Sequence, residues 1–144
     1  MPLMVTVQES AGTVAGTGFL DIVVPYTTSQ LTRVALKRAE ELSRELPSRI
    51  RILRMLAVPF PLDLSYPPFS LDILREQTRQ VARGIPAEMV LFLTRDPEGS
   101  LLKTLRPDSV VVIASKKRWW PTAQERLQRS CERHGHQVAL IYSR

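Results

Sequence analysis

"FLDIVVPYTTSQLTRVALKRAEELSREL", residues Phe19 to Leu46, reads as a strand, a turn and a helix in immediate succession. Phe19 to Pro25 is a short, almost continuous apolar run rich in β-branched residues, the pattern of a strand covered on both faces. The residues after it place Leu31, Ala35, Ala39, Leu42 and Leu46 on one side, with Arg33, Lys37, Arg38, Glu40, Glu41 and Arg44 elsewhere. That is amphipathic helical spacing, and Thr28 or Ser29 supplies its N-cap. A fully covered strand that feeds directly into an amphipathic helix predicts an α/β fold.

The same alternation continues towards the C-terminus. "RIRILRMLAV" alternates arginine with isoleucine before turning apolar, as a strand nearer the sheet edge does. "PFPLDLSYPPFS" is too proline-rich for helix or central strand, and Ser70 then caps a helix whose Leu71, Leu74, Val81 and Ile85 share a face. "AEMVLFLT" is a third strand, and Asp96 followed by Pro97 starts a short third helix. "DSVVVIAS" is a second fully buried strand. Thr122 and Glu125 form the two halves of a capping box on a last helix that ends at Gly135, and "HQVALIY" is a fifth strand. Strands alternating with helices predict an open five-stranded parallel sheet with helices on both faces, a Rossmann-like arrangement.

Residues 19–144 are read as one domain and residues 1–18 as a flexible leader, in which "LMVTV" is a candidate edge strand. A length of 144 residues at 44% hydrophobic supports a single core, while 24% charged residues and 6% aromatics exclude a disordered chain. A single cysteine, Cys131, excludes an internal disulfide and favours a reducing, cytoplasmic setting. No apolar run is long enough to span a bilayer. The net charge of +6 admits anionic partners without naming one.

Open parallel sheets bind ligands beyond the carboxyl ends of their strands, where the strand order reverses. The two most buried strands are the expected neighbours there, so the site loops are "PYTTS" and "SKKRWWP", each leading into a helix N-terminus that favours an anion.

The first strand ending in Val-Pro, the long first helix, the variable connection and the "VVVIAS" strand before the final helix resemble the universal stress protein family over residues 19–144. The resemblance implies that family's fold, an adenine nucleotide alpha hydrolase-like sheet. ATP-holding members carry a V-P-x-D-x-S pattern after the first strand and G-x2-G-x9-G-[ST] after the fourth. Here the first reads "VPYTTS", with Thr27 in place of the aspartate and Ser29 matching. The second reads "ASKKRWWPTAQERLQ", with Ala114 for the first glycine, Ser115 after it, Lys117 near the second and no glycine near the third. The missing glycines allow backbone amides to approach phosphates at positive φ, which Lys, Trp and Pro do not imitate. A degenerate nucleotide site follows. Its residual anion or nucleotide candidates are Pro25, Thr27, Ser29, Ser115, Lys116, Lys117 and Arg118, and the basic triplet reads equally well as a solvated loop.

Trp119 and Trp120 either both pack over the vacated groove, or one covers the elements beneath while the other faces a partner. His134 and His136 suit a helix C-terminus rather than a metal, and Cys131 reads as a packing residue. Asp21 is expected to be solvated near its strand's start rather than paired with an arginine. Neither paired carboxylates nor a nucleophile elbow nor metal-ligand spacing is present, so no enzyme and no cofactor are expected.

The expected function is a universal stress protein-like regulatory or interaction module of the stress response without tight ATP binding. ATP binding through the basic loop and nucleic-acid binding are the alternatives. Nucleic acid is disfavoured because the basic residues are spread over several helices. As in that family, a homodimer through the C-terminal strand is expected, with Val138, Leu140 and Tyr142 at the interface and Trp119 and Trp120 as further partner-binding residues.

Overall fold

The computed structural model describes residues 3–7, 20–64 and 68–143. In chain order the elements are β1 (Leu3–Val7), β2 (Leu20–Pro25), α1 (Ser29–Glu45), β3 (Ser48–Ala57), α2 (Leu71–Val81), β4 (Glu88–Thr94), α3 (Pro97–Thr104), β5 (Val110–Lys116), α4 (Ala123–Arg133) and β6 (Gln137–Ser143). They form one sheet in the order β1-β4-β3-β2-β5-β6. The five expected strands, β2 to β6, are mutually parallel. β1 is added antiparallel to β4, with Val5 opposite Leu91, so "LMVTV" is an edge strand. Of the leader expected over residues 1–18, residues 3–7 form this strand and the others lie outside the described residues.

The two nearly continuous apolar strands are neighbours: β2 pairs directly with β5 at the centre of the sheet, where the strand order reverses. Successive side chains of a strand point to opposite faces, and each face of the sheet carries its own core. Ile22, Val24, Ile50, Ile52 and Val112 pack under α1 and α2 together with Leu31, Ala35, Leu36 and Ala39. Val23, Leu53, Val111 and Ile113 pack under α3 and α4 with Leu101, Leu105 and Cys131. A third cluster, Leu56, Val58, Leu91 and Leu93, sits under Phe69, Leu71 and Leu74. Both layers are aliphatic, and truncation of a fully buried member such as Leu36 to alanine removes about 2–5 kcal/mol.

Helix ends follow local chemistry. Thr28 caps α1, Ser70 caps α2, Asp96 caps α3 with Pro97 at the first helical position, and Thr122 caps α4 through a complete capping box with Glu125. α4 stops at Gly135, whose φ of +86° is the left-handed conformation that glycine adopts without steric cost. α1 stops at Glu45 before Pro47, which leaves Leu46 exposed rather than on the buried face assigned from its spacing.

Two expectations are corrected at the amino end of the central strands. β3 lies inside the sheet, between β2 and β4, rather than towards an edge. Its arginines are accommodated because Asp21, on β2, is buried and paired rather than solvated. The Arg51 guanidinium donates to both carboxylate oxygens of Asp21 at 3.1 and 2.7 Å, Ser109 donates to one of them at 2.9 Å, and Arg49 lies 3.7 Å away. Burial alone pushes the Asp21 carboxyl up, but the bonds from Arg51 and Ser109 and the charges of Arg51 and Arg49 outweigh it and hold the group below its usual range.

Candidate functional site

Because β2 to β6 run in parallel, the loops after β2, β3, β4 and β5 gather at one end of the sheet. The β2 loop is tightly organised. The Thr27 amide donates to Thr32 Oγ1 at 3.1 Å, and the Leu31 amide to Thr28 Oγ1 at 3.2 Å. The Tyr26 hydroxyl and Ser29 Oγ are 2.7 Å apart, and the Arg54 guanidinium lies 3.9 Å from the Tyr26 ring centroid. Arg54 also donates to Thr78 Oγ1 and the Leu74 carbonyl of α2, so this cation is committed to internal partners. Burial lowers its pKa from the usual guanidinium value.

The β5 loop is closed at its base. Ser115 Oγ and Thr122 Oγ1 are 2.7 Å apart, and everything between them, Lys116 to Pro121, is exposed. The N-terminus of α4 is occupied by the chain's own carboxylate. Glu125 accepts the Thr122 amide at 3.0 Å and donates its amide to Thr122 Oγ1 at 3.1 Å, while its other oxygen accepts the Tyr142 hydroxyl at 3.0 Å. The bond from the Thr122 amide, then that from Tyr142, holds the Glu125 carboxyl below its usual range. A negative charge therefore stands at the amino end of α4.

The residues proposed from sequence are distributed over three places. Lys116 and Arg118 line a cavity of about 360 Å³ with Thr28, Gln30, Leu31, Thr122 and Gln124, which joins the starts of α1 and α4. Ser29 lines a shallow cleft between α1 and α2. Pro25 lines the third. Thr27 and Lys117 line none of these cavities, and Ser115 is buried as the clasp of the loop.

The third cavity, about 600 Å³, is the one that the sequence reading missed. Its floor is Pro25, Leu53, Met55 and Leu127, and its walls are Tyr26, Glu98 and the α4 residues Arg126, Arg129 and Arg133. The spacing of the three arginines, three and then four residues apart, marks one helical face and could have been read from the sequence. That their face overhangs a cavity is a tertiary fact.

The tryptophans do not cover the groove. Trp119 is 91% exposed and Trp120 52%, with ring centroids 5.0 Å apart and planes at 74°, edge to face. The expectation that both pack over the vacated site is thereby overturned. At the free edge of the sheet, Val138 and Leu140 are half-buried against the core under α4, and Tyr142 is exposed apart from its bond to Glu125. Cys131 is fully buried, and burial raises its thiol pKa to about 11, with smaller contributions from Glu98 and Glu132, which keeps it protonated and inert. Among the described residues no cluster of His, Cys, Asp and Glu has metal-site geometry, and no helix is long and apolar enough to cross a membrane.

No family model matches the chain, and no curated protein matches it in sequence. Solved structures do match it in fold. A universal stress protein from Archaeoglobus fulgidus superposes with a TM-score of 0.58 at 17% identity, over 85% of this chain and 93% of its own. A universal stress protein in complex with cAMP gives 0.57 at 14% identity, over 89% and 100%. A protein of that family from Burkholderia pseudomallei gives 0.54 at 20% identity, over 90% and 100%. The five parallel strands and four helices of this chain have the fold of the universal stress proteins.

Proposed function

We propose that the chain is a divergent, cytoplasmic universal stress protein-like module that acts in regulation by association with partners rather than by holding ATP tightly. The observation that carries this reading is the amino end of α4. There the Glu125 carboxylate and the Ser115–Thr122 hydroxyl pair take the place of a glycine cradle. A triphosphate would have to displace that carboxylate or sit against it. Association has its own surface. Among the described strands β6 pairs only with β5, and a second copy added edge to edge through Val138, Leu140 and Tyr142 removes an exposed strand edge. Tyr142 connects that edge to the loop, because its hydroxyl bonds Glu125. The test is the nucleotide content of the purified protein after acid release: far less than one nucleotide per chain is expected, and a stoichiometric adenine nucleotide would overturn the reading.

A second reading rests on the cavity between α3 and α4. Its apolar floor, the Tyr26 ring and three arginines fit a small anion with an aromatic body, and one structural relative was solved in complex with cAMP. Titration with cyclic and linear adenine mononucleotides decides it. Saturable binding weakened by Arg129→Ala supports such a site, and no binding at millimolar ligand rejects it.

A further inference from the structure

The 116–121 loop combines features that no internal role explains. Its base is clasped by the 2.7 Å Ser115–Thr122 pair, every residue from Lys116 to Pro121 is exposed, and its tip carries the most exposed large apolar side chain described. From Ser115 to Gln124 the sequence has three cations and no carboxylate. A second apolar tip stands at the same end of the sheet, where Phe60, 83% exposed, and Leu62, 41% exposed, follow β3. Arg95 braces that tip with its guanidinium 5.5 Å from the Phe60 ring centroid and a 2.7 Å bond to the Leu62 carbonyl. Asp63 and Asp96 make that side mixed in charge, so the cationic end lies on the β5 side.

We propose that this end of the molecule is a docking surface for anionic lipid bilayers, with Trp119 and Trp120 seated at the membrane–water interface and Lys116, Lys117 and Arg118 on the headgroups. The inference rests on the reading of this loop as a partner-binding element. Indole has an apolar body and one polar N–H, which suits the interface, and basic residues are drawn to the negative surface of anionic leaflets. Single-stranded nucleic acid fits less well. The two indoles stand edge to face, with planes at 74°, so successive bases cannot stack in parallel on both, and the Phe60 ring already carries the Arg95 guanidinium. No helix crosses the bilayer in this arrangement; the protein lies on it.

The chain's two tryptophans both lie in this loop, so tryptophan fluorescence, excited beyond the tyrosine band, reports on it alone. The intact protein is mixed with phosphatidylcholine vesicles, with the same vesicles containing phosphatidylserine, and with a single-stranded oligonucleotide. A blue shift and co-sedimentation with the anionic vesicles only, reversed by high salt, are expected. With each cation worth about five-fold in partitioning, Lys116, Lys117 and Arg118 replaced together by alanine lower it roughly 100-fold. Trp119→Ser with Trp120→Ser abolishes sedimentation while circular dichroism stays unchanged. No response to anionic vesicles, equal response to neutral ones, or a shift with the oligonucleotide alone overturns the proposal. Iodide quenching of the free protein separates this failure from failure of the underlying reading. Strong quenching leaves the loop as an accessible partner-binding element, whereas protected tryptophans remove that reading as well.

Discussion

Ser115 Oγ, at the end of β5, lies 2.7 Å from Thr122 Oγ1, the N-cap of α4, so the strand end and the helix start are tied by their side chains while the six residues between them project into solvent. Thr122 serves the clasp, the cap and the bond to Glu125 together. Thr122→Ala should cost about 1–2 kcal/mol in urea unfolding, as the loss of an N-cap does, and Thr122→Ser should restore most of it. An unchanged midpoint for the alanine variant would show that the clasp contributes nothing.

The Asp21 carboxylate makes a different prediction. Asp21→Asn leaves Arg51 buried beside a neutral group, and loss of one partner of a buried pair costs about 3–5 kcal/mol. The pH dependence has a definite sign. The folded carboxyl titrates below its ordinary value of 3.8, so its contribution is complete above that value and is lost as pH falls through the folded pKa. Urea midpoints measured from neutral pH downwards should fall more steeply for the native chain than for the asparagine variant. Parallel curves would contradict the assignment.

Fold and site were readable to different depths, for physical reasons. β2 and β5 declared themselves because strands covered on both faces are apolar throughout, and caps such as Asp96-Pro97 and Thr122-x-x-Glu125 are local chemistry. The alternation of Arg49 and Arg51 suggested a strand near the edge, but the deciding partner, Asp21, is thirty residues away from Arg51 and becomes a neighbour only through strand pairing. The departures from the glycine pattern are visible as letters in the sequence. The Glu125 carboxylate at the start of α4 is visible in the sequence only as half of a capping box, and the cavity under Arg126, Arg129 and Arg133 depends on how α3 and α4 sit on the sheet. The exposure of Trp119 and Trp120 is a tertiary fact that no periodicity reveals.

Cys131 should be silent to thiol reagents in the folded protein at neutral pH and react only on unfolding. Its thiol is raised from an ordinary 9.0 to about 11, so the unfolded chain loses the proton first and stability declines as pH rises between those values. The whole effect is roughly 2–3 kcal/mol at one unit per 1.4 kcal/mol. Cys131→Ala should flatten that alkaline slope in urea unfolding, leaving the smaller decline that the raised Tyr142 hydroxyl contributes, and an unchanged slope would contradict the assignment.

The β6 edge predicts a dimer in sedimentation equilibrium at micromolar concentration. Tyr142→Lys, at the exposed position of that edge, places a like charge on each copy at the interface, and the variant should sediment as a folded monomer. A native monomer, or a variant dimer of unchanged strength, would remove β6 from the interface.

This chain has the universal stress protein fold, and the proposal that its α4 entrance does not hold a triphosphate tightly stands or falls with nucleotide binding. Calorimetric titration with magnesium-ATP tests it most directly, with the Lys116→Ala, Lys117→Ala, Arg118→Ala triple variant alongside. No saturable heat is expected at millimolar ATP for either protein. Micromolar binding by the native chain that disappears in the variant would contradict it, because the basic loop would then have replaced the glycine cradle.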